Sequence, residues 1–371
     1  MPAPHDLSRR SFASSLALAG SALAVPALHA ADKIEKTKLI LAVDNKSALT
    51  HLPLAVAEQL EYFKAEGLDV QINDYLEPGG AAGAVVSGAA DICCGAFERT
   101  LYLQSKNQMF QAFVLQGRTP QVALGVSTRS LPGYNRIADL RGKKIGVVAL
   151  ESMATVMTHL HLMRGGFNAS DVSFVQVSSP SNALAALRSG QIDALCNTDP
   201  VMTMLEQKGE VKIVRDARTL KGTADLFGGT VPSACLYAAS DFVQKNPNTC
   251  QALTHAVVHS LKWLQTAGPG DIIKAVPESY LLGDRALYLA SFNKMRESIS
   301  PDGIMPDEGP LTALTALGQY DVAMRLAKEN DLLCLPGSMF GPGQEDYLRF
   351  AFANVEEEKM VMLAERLGES Y

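Results

Sequence analysis

The sequence predicts an α/β protein of two lobes with a hinged cleft between them, and three observations carry that prediction. Strand-like and helix-like stretches alternate regularly from Lys38 to Val214, which is the pattern of parallel strands covered by helices. The alternation runs in two cycles, one ending and the next beginning at Ser127. The chain then has to pass between the cycles twice, near 118–127 and near 229–233. The 371 residues are 47% hydrophobic and 19% charged with a mean hydropathy of +0.06, enough apolar material for two lobes. With 29 Gly, 18 Pro and 6 Cys, collagen-like, disordered and small disulfide-stapled classes are excluded. A net charge of −6, from 33 Lys+Arg against 39 Asp+Glu, leaves no basic surplus for phosphates, so no nucleic-acid partner is expected.

The first thirty residues read as an address. Ser8-Arg9-Arg10-Ser11-Phe12 precedes a small, apolar run from Ala13 to Ala27 and a small-residue site at Leu28-His29-Ala30. Those are the parts of a secretory signal, and the twin arginines resemble a Tat signal. Cleavage is expected after Ala30 or after Ala27, and loss of residues 1–30 removes Arg9, Arg10 and Asp6, taking the charge from −6 to −7. No other run reaches the ~18 apolar residues of a membrane span. Cys93 and Cys94 are strand neighbours that face opposite ways, and Cys196, Cys235, Cys250 and Cys334 are scattered. Buried free thiols are therefore expected rather than a disulfide framework.

The elements follow in order. Lys38–Val43 is a short strand, and Pro53–Phe63 is a helix with Leu54, Ala57, Leu60 and Phe63 on one side. Leu68–Ile72 is a strand, and Gly79-Gly80 opens a helix that runs to Val86. Ala90–Gly95, Arg99–Ser105 and Phe110–Gln116 continue as strand, helix and strand. After Ser127, the turn at Arg141-Gly142-Lys143-Lys144 feeds the strand Ile145–Ala149. Ser152 stands at the N-cap of a helix over Met153–Arg164, closed by Gly165-Gly166. Val172–Val177, Asp193–Cys196 and Lys212–Val214 are strands, with a helix over Asn182–Arg188. Ser233–Ala239 is a last strand, and the chain beyond Pro247 is mainly helical through Cys250–Leu264.

Several pieces, taken in order, resemble a known family. They are Pro53–Glu58 leading to Phe63–Val70, Gly79-Gly80, Ser87-Gly88-Ala89-Ala90-Asp91-Ile92, Asp139–Val147, Ala183–Leu187 with Ser189-Gly190-Gln191-Ile192-Asp193-Ala194, and Lys262-Trp263-Leu264. The set resembles the substrate-binding proteins of ABC importers of the nitrate/sulfonate/taurine type, which are similar to the thiamine pyrimidine synthases. That resemblance implies a type II periplasmic-binding-protein fold, with lobe I over 36–127 plus 231–320 and lobe II over 128–230. It also implies a monomeric periplasmic receptor that captures a small anionic or aromatic solute and delivers it to an ABC permease.

In open α/β sheets, ligands bind beyond the carboxyl ends of strands, where helix N-termini gather. Here those places are Lys46–Thr50, Gly79–Ala81, Ala96–Thr100, Glu151–Thr155 and Asn197–Pro200. Their short hydroxyl and amide side chains, with the N–H groups of helix ends, suit a sulfonate, carboxylate or nitrate. The resemblance places Ser47, Leu49, Thr50, Gly80, Phe97, Ser152, Thr155, Thr198 and Asp199 on the cleft, with Gln116 and Thr230 at its floor. Each also has a plainer reading: Ser152 as a cap, Asp199 as a turn former, Phe97 as core, Gly79-Gly80 as a tight turn. Glu151 opposes a strongly anionic ligand at its helix end, and Arg99 and Arg118 are the nearest cations.

The chain ends differently. Pro336-Gly337-Ser338-Met339-Phe340-Gly341 and Tyr347-Leu348-Arg349-Phe350 resemble the C-terminal end of class I/II pyridoxal-phosphate aminotransferases, in which Arg349 would match the arginine that grips the substrate carboxylate. The lysine and acid that this chemistry needs belong to a large domain absent here. Residues 321–371 therefore read as a short α/β appendage with a vestigial arginine. His159 and His161 point apart on a helix, and His255 and His259 share a face without an evident acid, so no metal site is expected. No catalytic residue and no cofactor is assigned. The alternative is an enzyme, either synthase-like or aminotransferase-derived.

Overall fold

A computed structural model describes residues 33–318, apart from 76, 78, 168–170 and 282, together with two short strands of the tail. The expected export signal with both its cleavage sites, and the rest of the tail expected to resemble an aminotransferase, lie outside the described residues. The strands are β1 (Lys38–Asp44), β2 (Asp69–Tyr75), β3 (Ile92–Ala96), β4 (Phe110–Leu115), β5 (Val122–Ser127), β6 (Lys144–Val147), β7 (Ser173–Gln176), β8 (Ala194–Thr198), β9 (Val211–Asp216) and β10 (Ala234–Ala239). In the tail, β11 (Cys334–Pro336) pairs antiparallel with β12 (Leu348–Phe350), which places Arg349 opposite Leu335.

Two five-stranded sheets form, in the orders β2-β1-β3-β10-β4 and β7-β6-β8-β5-β9. The orders are equivalent, position for position, and each sheet holds one strand lent by the other half of the chain's path. β10 returns from the second body and runs antiparallel to β3 and β4, and β5 enters from the first and runs antiparallel to β8 and β9. The sheets are therefore mixed, where simple alternation predicts all-parallel strands. Only the strands joined through helices must be parallel; a strand that crosses between bodies is free to run back.

β5 also corrects the expected boundary. Residues 122–127 were expected within the crossing and within lobe I, yet β5 pairs in the second sheet, so the switch lies before Val122. All six of its residues are buried, so it shows none of the period-2 alternation that marks a half-exposed strand. Gly125 in its middle lets Met202 and Val211 approach closely; a Cβ there would stand 2.9 Å from Met202 Cε.

The repeated Ser-Gly pieces now have a physical role. Asp91 accepts from Ile40 N at 3.0 Å while its own N–H donates to Ile40 O, which pins β1 beside β3. Asp193 does the same to Lys144, at 3.0 Å, and pins β6 beside β8. One aspartate thus sets the register of the central parallel pair in each sheet.

One core packs the first sheet against Leu52–Gln59 and Pro247–Thr266, with Leu253, Val257, Leu261 and Leu264 fully buried along the long helix. The other face of that sheet shares a continuous apolar cluster with the second sheet and Met153–Met163. The helix expected over Pro53–Phe63 breaks into Leu52–Gln59 and Tyr62–Ala65, because Glu61 adopts φ +57° between them. Cys93 and Cys94 enter opposite cores, and the described cysteines, Cys93, Cys94, Cys196, Cys235 and Cys250, are buried free thiols. Among the described residues, no helix is long and apolar enough to cross a membrane.

Candidate functional site

The carboxyl ends of β1, β3, β6 and β8 face one another across a cavity of about 790 Å³. Its size is that of a small-molecule site. Of the residues expected to line it, Ser47, Thr50, Ser152, Thr198 and Asp199 stand on its wall. The other six do not. Leu49 and Phe97 are buried in the apolar cores. Gly80 lies behind Gly79, packed on Tyr75. Gln116 is buried and donates to Cys94 Sγ at 3.1 Å. Thr155 turns its hydroxyl to Ala149 O at 2.8 Å, and Thr230 donates to Glu308 at 2.9 Å. Arg118 is turned to the main-chain carbonyl of Glu297. Sequence spacing places these residues near the right strand ends but cannot tell which side of the turn each side chain takes.

The wall's own chemistry differs from the expected one. Three of the helix N-termini at the cavity are already occupied by carboxylates of this chain. Asp44, the last residue of β1, accepts from Gly79 N at 3.0 Å and from Ala81 N at 2.8 Å. Glu98, beside β3, reaches across to the second body and accepts from Met153 N at 3.3 Å. Asp199, after β8, accepts from Thr203 N at 2.8 Å. Ser152 holds the N-cap position by its backbone, but its hydroxyl donates to Ala149 O at 2.7 Å and leaves the capping to Glu98. Burial pushes the Asp44 and Glu98 carboxyls upward, against the backbone N–H groups that hold them down.

Asp199 stands on a buried ionic network. Arg218, 1% exposed, donates to both Asp199 oxygens at 3.2 Å and to Asp216 at 2.6 Å. Burial alone would depress this guanidinium, but Asp216 and Asp199 override it and raise its pKa. Glu206 joins the network and is paired in turn with Lys294, on the helix Arg285–Met295. No local pattern in the sequence announces Arg218, since its partners lie 2 to 19 positions away on three elements.

A second missed feature is His51. It is 7% exposed, lines the cavity, and sets Nδ1 3.3 Å from Cys94 Sγ. Burial holds the imidazole down to about 4, although the main-chain carbonyl of Asp44 pulls it up. Burial pushes the Cys94 thiol up to about 12, against the hydrogen bond from Gln116. The pair therefore rests as a neutral thiol beside a neutral ring. Elsewhere, His161 accepts from Arg215 at 2.8 Å, and His255 faces Glu66 at 3.4 Å. No group of acids, histidines and cysteines suited to a metal occurs among the described residues.

The wall's cations, Arg99 and Lys106, both stand 5.3 Å from the centre of the Tyr102 ring. Arg99 also faces Glu151 across the cavity at 3.5 Å.

A family model described as NMT1/THI5 like matches residues 48–267, more than half of the chain. A solved structure from Bordetella bronchiseptica RB50 is 46% identical, with a TM-score of 0.73 over 90% of this chain and 99% of its own. YtlA of Bacillus subtilis (strain 168), named as a candidate binding protein, is 22% identical over 298 residues, 79% of this chain and 86% of its own. The alkanesulfonate-binding protein SsuA from Xanthomonas axonopodis pv. citri, solved with MOPS bound, is 18% identical, with a TM-score of 0.62 over 79% of this chain and 95% of SsuA. At that identity the likeness to SsuA concerns the fold, which is the two-sheet α/β architecture of a periplasmic binding protein.

Proposed function

The chain belongs to the NMT1/THI5-like family, and from that premise we propose that it is the extracytoplasmic receptor of an ABC importer. It captures one small molecule between its two bodies and delivers it to a membrane permease. The observation that carries this reading is the cavity of about 790 Å³ between facing strand ends of two sheets joined by two crossings. Contacts from both sides meet over it, Glu98 to Met153 N and Arg99 to Glu151, so closure and capture are mechanically one event. The twin arginines at 9 and 10 direct the chain to the periplasm by the Tat route, and the receptor acts as a monomer.

A catalytic reading would have to use Cys94 and His51, where burial opposes a thiolate and an imidazolium alike. That supports a binding protein without catalytic residues or cofactor. The lobes divide near 116–121 and 228–233, the segments that link the sheets.

A thermal-shift screen of small sulfonates, nitrate, amines, amidines and aromatic acids tests the receptor reading. A ligand at about 100 times its Kd adds ~2.7 kcal/mol, which moves Tm by a few degrees. The shift is expected to survive deletion of 322–371 and to shrink in Ser152→Ala/Thr198→Ala. A screen in which no small molecule moves Tm contradicts it. Retained periplasmic export of an Arg9→Lys/Arg10→Lys protein contradicts the Tat route.

A further inference from the structure

We propose that the cleft takes an organic cation bearing N–H donors, an amine, guanidine or amidine, in place of the oxyanion that open helix ends would suit; this rests on the receptor reading above. Three independent features of the cavity carry it. First, the backbone donors at three of the helix ends on the cavity already have anionic partners within the chain. Asp44 takes Gly79 N and Ala81 N, Glu98 takes Met153 N, and Asp199 takes Thr203 N. A sulfonate at any of these ends would have to sit against a carboxylate.

Second, the wall's charge is acidic. Asp44, Glu98 and Glu151 line it against Arg99 and Lys106, while Asp199 is paired with the buried Arg218. Both cations gather over Tyr102 on one helix, and Arg99 is turned toward Glu151. Third, an apolar and aromatic surface adjoins these acids. Tyr237, Tyr280, Val122 and Val148 supply faces for the body of an organic ligand, and aromatic faces receive cations. The cavity thus presents acceptors around an apolar space, which recognises a donor-rich cation.

Calorimetric titration of the full chain with molecules of one shape and opposite charge tests this: benzamidine against benzoate and benzenesulfonate, and agmatine against methanesulfonate and nitrate. The expected result is one-to-one heat from at least one cation and none from the anions. Glu98→Gln, which keeps an acceptor for Met153 N, should weaken the cation at least tenfold, while Glu66→Gln, outside the cavity, should not. Equal Tm of the two variants and the parent confirms that folding is intact. An anion that binds while the cations stay silent, and that is lost in Arg99→Gln, overturns the proposal and leaves the receptor reading standing. Silence from both groups also overturns it, and the broader thermal screen then decides the receptor reading separately.

Discussion

Acid should unfold this protein through its buried histidines, and His51 gives the effect a magnitude. Its imidazole titrates at about 4 in the folded chain and at about 6.5 in the unfolded one. Between those values the unfolded state binds more protons, so stability falls as pH falls. The contribution is complete above about pH 6.5 and is lost progressively toward pH 4. The full shift corresponds to about 3 kcal/mol, of which about 2 kcal/mol is lost between pH 7.5 and pH 5. His161, held down to about 3 by burial and by Arg215, acts in the same direction and adds a similar loss at pH 5. The buried carboxyls of Asp44, Glu98 and Asp199, all raised by burial, act oppositely, since their folded forms hold protons more tightly. A comparison with a variant removes their share. Urea unfolding of the parent and of His51→Gln at pH 7.5 and pH 5 should show the parent losing about 2 kcal/mol more than the variant. Identical pH dependence in the two would refute the burial argument for His51.

Arg218→Met should destabilise by about 3–5 kcal/mol at neutral pH, because it strands Asp199 and Asp216 without their guanidinium; urea midpoints read this, and a loss under 1 kcal/mol would contradict it. Gly222→Ala should cost about 1–3 kcal/mol, since a Cβ there would stand 1.8 Å from the Asp216 carbonyl oxygen; an unchanged Tm would show that the turn before its helix relaxes freely. In a Cys334→Ser protein, a thiol reagent at pH 8 should label the native chain far more slowly than the urea-unfolded chain, because the remaining cysteines are buried. Rapid labelling of even one thiol in the native state would contradict that.

Much of the architecture is legible in the sequence because it is local. The alternation that places β1, β3, β6 and β8 is a periodic signal, and Gly190 and Gly228, at φ +80° and +83°, mark helix ends where they stand. β5 was not legible as part of the second sheet because its six buried residues carry no period. The antiparallel strands β5 and β10 depend on the path between bodies, which no window of the chain encodes. The site was legible to the level of strand ends: Ser47, Thr50, Ser152, Thr198 and Asp199 reach the cavity. Its charge was not. Asp44 and Glu98 meet their partners 35 to 55 positions away, so only the folded chain reveals that these two helix ends are filled. His51 was likewise an ordinary histidine until Cys94, 43 positions on, came to 3.3 Å.

The proposed receptor holds one small molecule in the cavity between the two sheets. Native mass spectrometry of the protein isolated from the cells that make it, beside an Ala96→Trp variant, tests this. Ala96 is exposed on the cavity wall at the end of β3, so an indole there fills ligand space without entering a core. A one-to-one small-molecule adduct is expected on the parent, lost in the variant at unchanged Tm. An adduct that persists in Ala96→Trp would place the ligand elsewhere and contradict residence in this cavity.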